Sequence, residues 1–160
     1  AGNKMRELVQ QVLQNQWKQI GVEVVIKNVP ARTYFGETLK KQQFTALAQL
    51  AWSSNPESPP TSTLATSGIP TAANNFAGAN YPQFSHPGMD KLIDDVQREL
   101  DPAKRKPLWF EMQKIYTDEL PVLPLYFRTD VYVVPKWLNG VLKTGQLPSN
   151  YFGQESWGVR

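Results

Sequence analysis

The chain has 160 residues, 41% of them hydrophobic, with five tryptophans, which is about one domain with enough apolar side chain for a core. Its 17 basic and 14 acidic side chains leave a net charge of +3, with the signs interspersed, which disfavours nucleic-acid binding. The absence of cysteine excludes disulfides and thiolate metal sites, and no apolar run approaches the length of a membrane span.

The first third of the chain alternates between helical and strand patterns. The predicted elements are an amphipathic helix over 5–20, a strand over 22–28, a helix over 31–41 and a strand over 44–52. Gly21 is a natural cap for the first helix, and the last strand is apolar on both sides, as a central strand is. This order predicts an α/β fold with a mixed sheet flanked by helices.

The stretch 53–87 is irregular and rich in Pro, Ser, Thr, Asn and Gly. Compact domains rarely carry so long a loop unless it binds something or is disordered. Its aromatic residues Phe76, Tyr81 and Phe84 indicate that part of it packs. Disorder of 61–70 is the alternative.

Two helices and two strands are predicted after the loop. Apolar side chains recur at helical spacing over 89–100, and Asp101 followed by Pro102 starts a second helix that reaches Tyr116. Pro121 ends that helix and Pro124 places the next strand at an edge. The predicted strands are 122–127 and 131–134, and the chain is loop-like from residue 135.

Catalytic and metal sites have no positive signal. The single histidine, His86, precedes Pro87 in a loop and has no local carboxylate to orient it, so a surface turn or helix lead-in is the plainer interpretation. The acid pairs 94–95 and 118–119 are adjacent on helices and point in different directions. The sequence therefore predicts no enzyme, no metal and no cofactor.

A binding surface is predicted where the strand over 44–52 ends. Trp52, Ser53, Ser54 and Asn55 offer an aromatic wall with hydroxyl and amide groups, and ligands of open α/β sheets collect at the carboxyl ends of strands. The alternative is a core tryptophan followed by a solvent-exposed turn.

Several phrases, in this order, resemble the C-terminal part of the extracytoplasmic solute-binding proteins of ABC transporters in the peptide/nickel class (family 5). They are the segments 13–24, 34–39, 44–52, 86–93, 101–105 and 113–126. The resemblance implies one lobe of a two-lobed fold like that of the periplasmic binding proteins (type II, cluster C). Residues 1–127 would form the solute-binding lobe, and 128–160 a crossover and tail that pack on the other lobe.

The resemblance also implies a function. Such a protein binds a peptide or other small solute in a cleft between its lobes and delivers it to a membrane permease, outside the cytoplasm. A regulatory domain of the same fold that senses a ligand is the alternative. The charged opening is not a signal peptide, so we expect a piece of a longer protein.

Six residues are the expected ligand contacts. They are Trp52, Ser53 and Asn55 by position, Asn75 and Tyr126 from the resemblance, and Tyr34 from its place after the first strand. Peptide-binding members commonly carry an aspartate where this chain has Asn55, and it pairs with the amino terminus of the ligand. A neutral amide lacks that charge, so an opine or an oligosaccharide joins peptide as a candidate solute.

Overall fold

A computed structural model of the protein describes residues 2–53, 58–127, 131, 133–141 and 158–159. The helices are α1 (Lys4–Lys18), α2 (Ala31–Thr33), α3 (Thr61–Leu64), α4 (Pro87–Arg98) and α5 (Pro102–Glu119), and the strands are β1 (Leu138–Asn139) and β2 (Gly158–Val159). A π-helical turn, Tyr34–Thr38, continues α2, and 3₁₀ turns occupy Thr66–Gly68 and Ala72–Asn74. The chain divides into two compact units: a first unit of Ala1–Leu50 with Ser62–Ser85, and a second unit of Ala51–Thr61 with His86–Arg160.

The predicted helices that correspond to α1, α4 and α5 are confirmed. The side chain of Asn3 accepts a hydrogen bond from the Arg6 amide at 3.1 Å and caps α1, and Gly21 follows the helix with a positive φ of 83°. The side chain of Asp101 accepts from the Ala103 amide at 2.9 Å at the start of α5. These caps satisfy amides that an isolated helix leaves without partners.

The predicted sheet is not what the structure shows. The described parts of 22–28, 44–52, 122–127 and 131–134 carry no strand, and the only ladder among the described residues pairs Leu138 with Val159 and Asn139 with Gly158. Leu47, expected under a covered sheet face, is 68% exposed. Alternation in a sequence shows which side chains are apolar, but a strand also needs a neighbour to pair with. The described chain is therefore mostly helical.

The segment 61–85 is folded rather than irregular. Asn80 is fully buried, with 0% of its surface exposed, and its side-chain amide donates to the carbonyls of Ala65 at 2.9 Å and Phe84 at 2.8 Å. Its side-chain oxygen accepts from the Phe84 amide at 3.0 Å, and its backbone amide donates to the Gly68 carbonyl at 3.0 Å. The structure thus differs from the alternative of disorder over 61–70.

The second unit contains the helix pair α4 and α5, which pack together. α4 buries Met89, Ile93 and Val96, and α5 buries Met112. The Nε of Arg105 on α5 donates to the Val96 carbonyl on α4 at 3.2 Å. Within the described ranges, no helix combines the length and apolar character needed to cross a membrane.

Candidate functional site

Trp52 and Ser53 lie in the second unit, at the end of a segment without regular structure. Trp52 is 52% exposed and Ser53 is also exposed, so the accessible indole argues against the core alternative. Asn55 lies outside the described residues. An exposed aromatic ring beside a hydroxyl can stack on an apolar or planar group of a ligand while the hydroxyl hydrogen-bonds to it.

Asn75 lies in the first unit, directly after the turn Ala72–Asn74. It is exposed and has a left-handed backbone, with φ 55° and ψ 36°. The turn before it is braced by a capping box, in which the Thr71 amide donates to the Asn74 side chain at 2.8 Å and the Asn74 amide donates to the Thr71 hydroxyl at 3.3 Å. Asn75 is therefore presented to solvent by a turn whose own polar groups are paired.

Tyr34 also lies in the first unit, where it connects the π-helical turn Tyr34–Thr38 to the segment that contains Gln49. Its hydroxyl donates to the Gln49 carbonyl at 2.9 Å, and its ring meets Phe35 edge-on with centroids 5.4 Å apart. Burial raises the pKa of the Tyr34 phenol, while the positive charge of Arg6 acts in the opposite direction. The contacts give Tyr34 a structural task, which sequence reasoning did not foresee.

Replacing Tyr34 with phenylalanine is expected to lower the free energy of unfolding at pH 7 by about 1 kcal/mol, because a partly buried carbonyl loses its donor. A raised phenol pKa means that the neutral form favours folding, so this contribution is complete below the ordinary value of 10.0 and is lost as the pH rises through the raised value. Urea denaturation at pH 7 and at alkaline pH measures both effects. The exposed Tyr126→Phe is the control, and equal losses in the two variants would contradict the assigned hydrogen bond.

Tyr126 lies in the second unit and is half exposed. Leu125 and Phe127 beside it are exposed too, so its ring is accessible on an apolar stretch of chain. The predicted residues therefore divide between the units: Tyr34 and Asn75 in the first, and Trp52, Ser53 and Tyr126 in the second. Their assembly into one ligand site stays a prediction.

The groups that the sequence set aside from catalysis have ordinary structural partners. Asp95 pairs with Lys91 at 2.5 Å and Asp118 pairs with Lys114 at 2.6 Å, each one turn apart on an exposed helix face. His86 is the helix lead-in that the sequence allowed, because its Nδ1 accepts from the Met89 amide at 3.1 Å. In the part of the chain that the structure describes, no three metal-ligating side chains come together.

Sequence reasoning missed Asn80, which organises the segment that carries Asn75. Asparagine in a polar loop is ordinarily exposed, and nothing in the local pattern distinguishes Asn80 from Asn74 or Asn75. The signal in the sequence was the neighbouring Tyr81, because an aromatic residue in a polar loop indicates local packing. The structure shows that Tyr81 is buried. A buried asparagine next to a buried aromatic residue indicates a packed loop core.

No family model matches the chain, but individual proteins do. It is 30% identical over 138 residues to the oligopeptide-binding protein OppA of Bacillus subtilis, covering 86% of this chain and 24% of that protein. It is 28% identical over 131 residues to di/tripeptide-binding protein 1 of Pseudomonas aeruginosa, covering 79% of this chain and 22% of that protein. The chain thus spans about a quarter of the length of these curated relatives.

A solved structure of an oligopeptide-binding protein also matches the chain. The oligopeptide-binding protein from Thermus thermophilus, crystallised with a pentapeptide, matches 89% of this chain with a TM-score of 0.75 and 35% identity, over 25% of its own length. The chain therefore has part of an oligopeptide-binding protein fold. The predicted resemblance is confirmed, and the relatives are named for binding rather than catalysis, in agreement with the prediction of a non-enzymatic protein.

Proposed function

We propose that this chain, which is homologous to about a quarter of the length of the family 5 oligopeptide- and di/tripeptide-binding proteins, is part of the substrate-binding protein of an ABC importer and helps to bind a peptide. The observation that carries the proposal is the similarity over 89% of the chain to an oligopeptide-binding protein in complex with a pentapeptide. The identity of 35% in that match is high enough for function as well as fold to be compared.

The proposed site uses the accessible residues described above. Trp52 and Tyr126 offer exposed aromatic rings, and Asn75 offers an exposed amide on a braced turn. In the proposed protein these groups face a cleft between two lobes, with residues 1–127 in one lobe and 128–160 leading to the other. A permease in the membrane then takes up the ligand on the extracytoplasmic side.

Peptide is the solute class that the relatives favour over an opine or an oligosaccharide, because all three named relatives bind peptides or oligopeptides. Thermal unfolding of the protein in which this chain occurs, with and without peptides of two to five residues, tests the proposal. A ligand at about 100 times its Kd stabilises the folded state by about 2.7 kcal/mol, which raises Tm by several degrees. Free amino acids are the control, and no shift with any peptide would contradict the proposed function.

Replacing Asn55 with aspartate is expected to raise the affinity for peptides with a free amino terminus roughly tenfold, because a charge-assisted hydrogen bond replaces a neutral one. The affinity for the same peptides after N-acetylation should stay unchanged or fall, because the acetylated nitrogen carries no positive charge. Isothermal titration calorimetry with each pair of peptides measures the ratio.

The matched control for this variant is Asn15→Asp, which makes the same charge change on an exposed position of α1. It should leave the ratio between free and acetylated peptides as it is in the wild type. If Asn55→Asp also leaves that ratio unchanged, Asn55 does not face the amino terminus of the ligand.

A further inference from the structure

Asn139 is the last residue of β1 and the only asparagine in the chain that a glycine follows. Gly140 is exposed and has φ +80°, a left-handed backbone conformation that glycine adopts without a steric penalty. Because Gly140 has no Cβ, its backbone nitrogen is open to approach. A bond between that nitrogen and Cγ of Asn139 would close a five-membered ring.

We propose that Asn139 is a site of spontaneous covalent modification, at which the backbone nitrogen of Gly140 displaces the side-chain amide. The nitrogen attacks Cγ of Asn139, so that the N–Cγ bond forms and the Cγ–Nδ2 bond breaks. The proton of the Gly140 amide leaves with the amide nitrogen as ammonia, and the product is a cyclic succinimide.

Water completes the reaction by opening the ring at either of its two carbonyl carbons. Breaking the new N–Cγ bond gives aspartate at position 139. Breaking the bond between the Gly140 nitrogen and the backbone carbonyl carbon of Asn139 gives isoaspartate, in which the main chain runs through the side chain. Both products contain one water more and one ammonia less than the starting chain, so water is the only co-reactant.

The side-chain amide of Asn139 is weakly held. Within the described ranges, its one hydrogen bond runs from Nδ2 to the carbonyl of Trp137 at 3.5 Å, which is longer than an ordinary N–H···O bond. Trp137 is itself 53% exposed. The Asn139 side chain can therefore rotate, and its amide is accessible to water.

The backbone at Asn139 can also open locally. β1 and β2 contain two residues each, and Asn139 pairs with Gly158 at the end of this ladder. An isolated pair of strands is at best marginally stable in water. Ring closure requires the backbone of Asn139 to leave its extended conformation, and local opening of so short a ladder allows this.

Other asparagines are held more firmly than Asn139. Asn80 is buried and its side chain makes three hydrogen bonds. The side chain of Asn74 donates to the Ile69 carbonyl at 2.8 Å, and Asn15 lies within α1, where the helix fixes its backbone. Each of the three is followed by a residue with a Cβ, which hinders the approach of the backbone nitrogen. The structure and the sequence thus both favour reaction at Asn139.

The modification would change both the charge and the backbone of β1. Either product replaces a neutral amide with a carboxylate, so the net charge falls by one. In isoaspartate the main chain is also longer by one carbon atom. Because strand pairing depends on the regular alternation of residues, we expect isoaspartate to break the pairing of position 139 with Gly158.

Incubation of the protein in which this chain occurs, at neutral pH in water enriched in heavy oxygen, tests the proposal. Peptide mass spectrometry with electron-transfer fragmentation measures the uptake of heavy oxygen at each asparagine and distinguishes isoaspartate from aspartate. Asn139 is expected to react roughly tenfold faster than Asn15, since the backbone freedom of glycine lowers the barrier and a tenfold rate needs only a small change in it. Asn15 is the internal control because it is also exposed.

Two variants separate the roles of the two residues. Gly140→Ala keeps the asparagine but adds a Cβ to the attacking residue, and should slow the reaction roughly tenfold. Asn139→Gln keeps an amide but would need a larger, six-membered ring, and should give no product at this position over the same time.

The proposal is overturned if Asn139 reacts no faster than Asn15, if no isoaspartate forms at position 139, or if Gly140→Ala reacts as fast as the wild type. The first two comparisons use the wild-type protein alone, so the test does not depend on either variant being stable.

Discussion

Replacing Asn80 with alanine is expected to lower the free energy of unfolding by about 3–5 kcal/mol. The side chain has no exposed surface and makes three hydrogen bonds, to the carbonyls of Ala65 and Phe84 and from the amide of Phe84. Alanine leaves the buried carbonyl of Ala65 and the partly buried carbonyl and amide of Phe84 without this partner. Each such group costs about 1–3 kcal/mol where water cannot reach it. Urea denaturation followed by circular dichroism measures the loss.

Two variants sharpen this experiment. Asn15→Ala removes an exposed asparagine from α1 and should change stability by less than about 0.5 kcal/mol, as an ordinary surface substitution does. Asn80→Asp keeps an acceptor for the Phe84 amide but cannot donate to the two carbonyls while it is ionised. Its stability should rise as the pH falls, because a protonated carboxyl regains one donor. Wild-type stability of Asn80→Ala would contradict the buried network.

The helices could be predicted from the sequence because their signals are local. Asn3 and Asp101 each lie within three residues of the amide that they cap. The buried apolar stripe of α4 follows from the helical spacing of Met89, Ile93 and Val96. A cap and a stripe depend on the helix alone. The resemblance to a family was likewise readable, since it depends on residue order and not on contacts.

The rest depends on contacts between residues that are distant in the chain. The sheet expected from the strand patterns is not found in the described residues, because alternation does not say whether a partner strand is present. Asn80 reaches back 15 residues to Ala65, and no local pattern encodes that pairing. Of the predicted site, the exposure of Trp52 and Asn75 fits ligand contacts, whereas Tyr34 is already engaged with Gln49.

Replacing Gly78 with alanine is expected to destabilise the first unit by about 3–5 kcal/mol, through strain at the backbone. Gly78 has φ +97°, and a Cβ there would lie 2.1 Å from the carbonyl oxygen of Gly68 and 2.7 Å from its carbon. Both atoms are backbone, so neither can rotate away as a side chain would. The same carbonyl accepts a hydrogen bond from the backbone amide of Asn80 at 3.0 Å. Any shift that makes room for the Cβ therefore also strains the hydrogen bonds of Asn80.

Two other glycines in the first unit separate the causes of this loss. Gly21 also has a positive φ, of 83°, but nothing lies within 4 Å of an added Cβ, and Gly36 has neither a positive φ nor a close neighbour. Gly21→Ala should therefore cost only the left-handed backbone, about 1–2 kcal/mol, and Gly36→Ala should be neutral or stabilise by up to about 1 kcal/mol. Urea denaturation of the three variants should rank them Gly36, Gly21, Gly78 in rising cost. If Gly78→Ala costs no more than Gly21→Ala, the positive φ alone accounts for the loss. The predicted clash between the added Cβ and the Gly68 backbone would then be wrong.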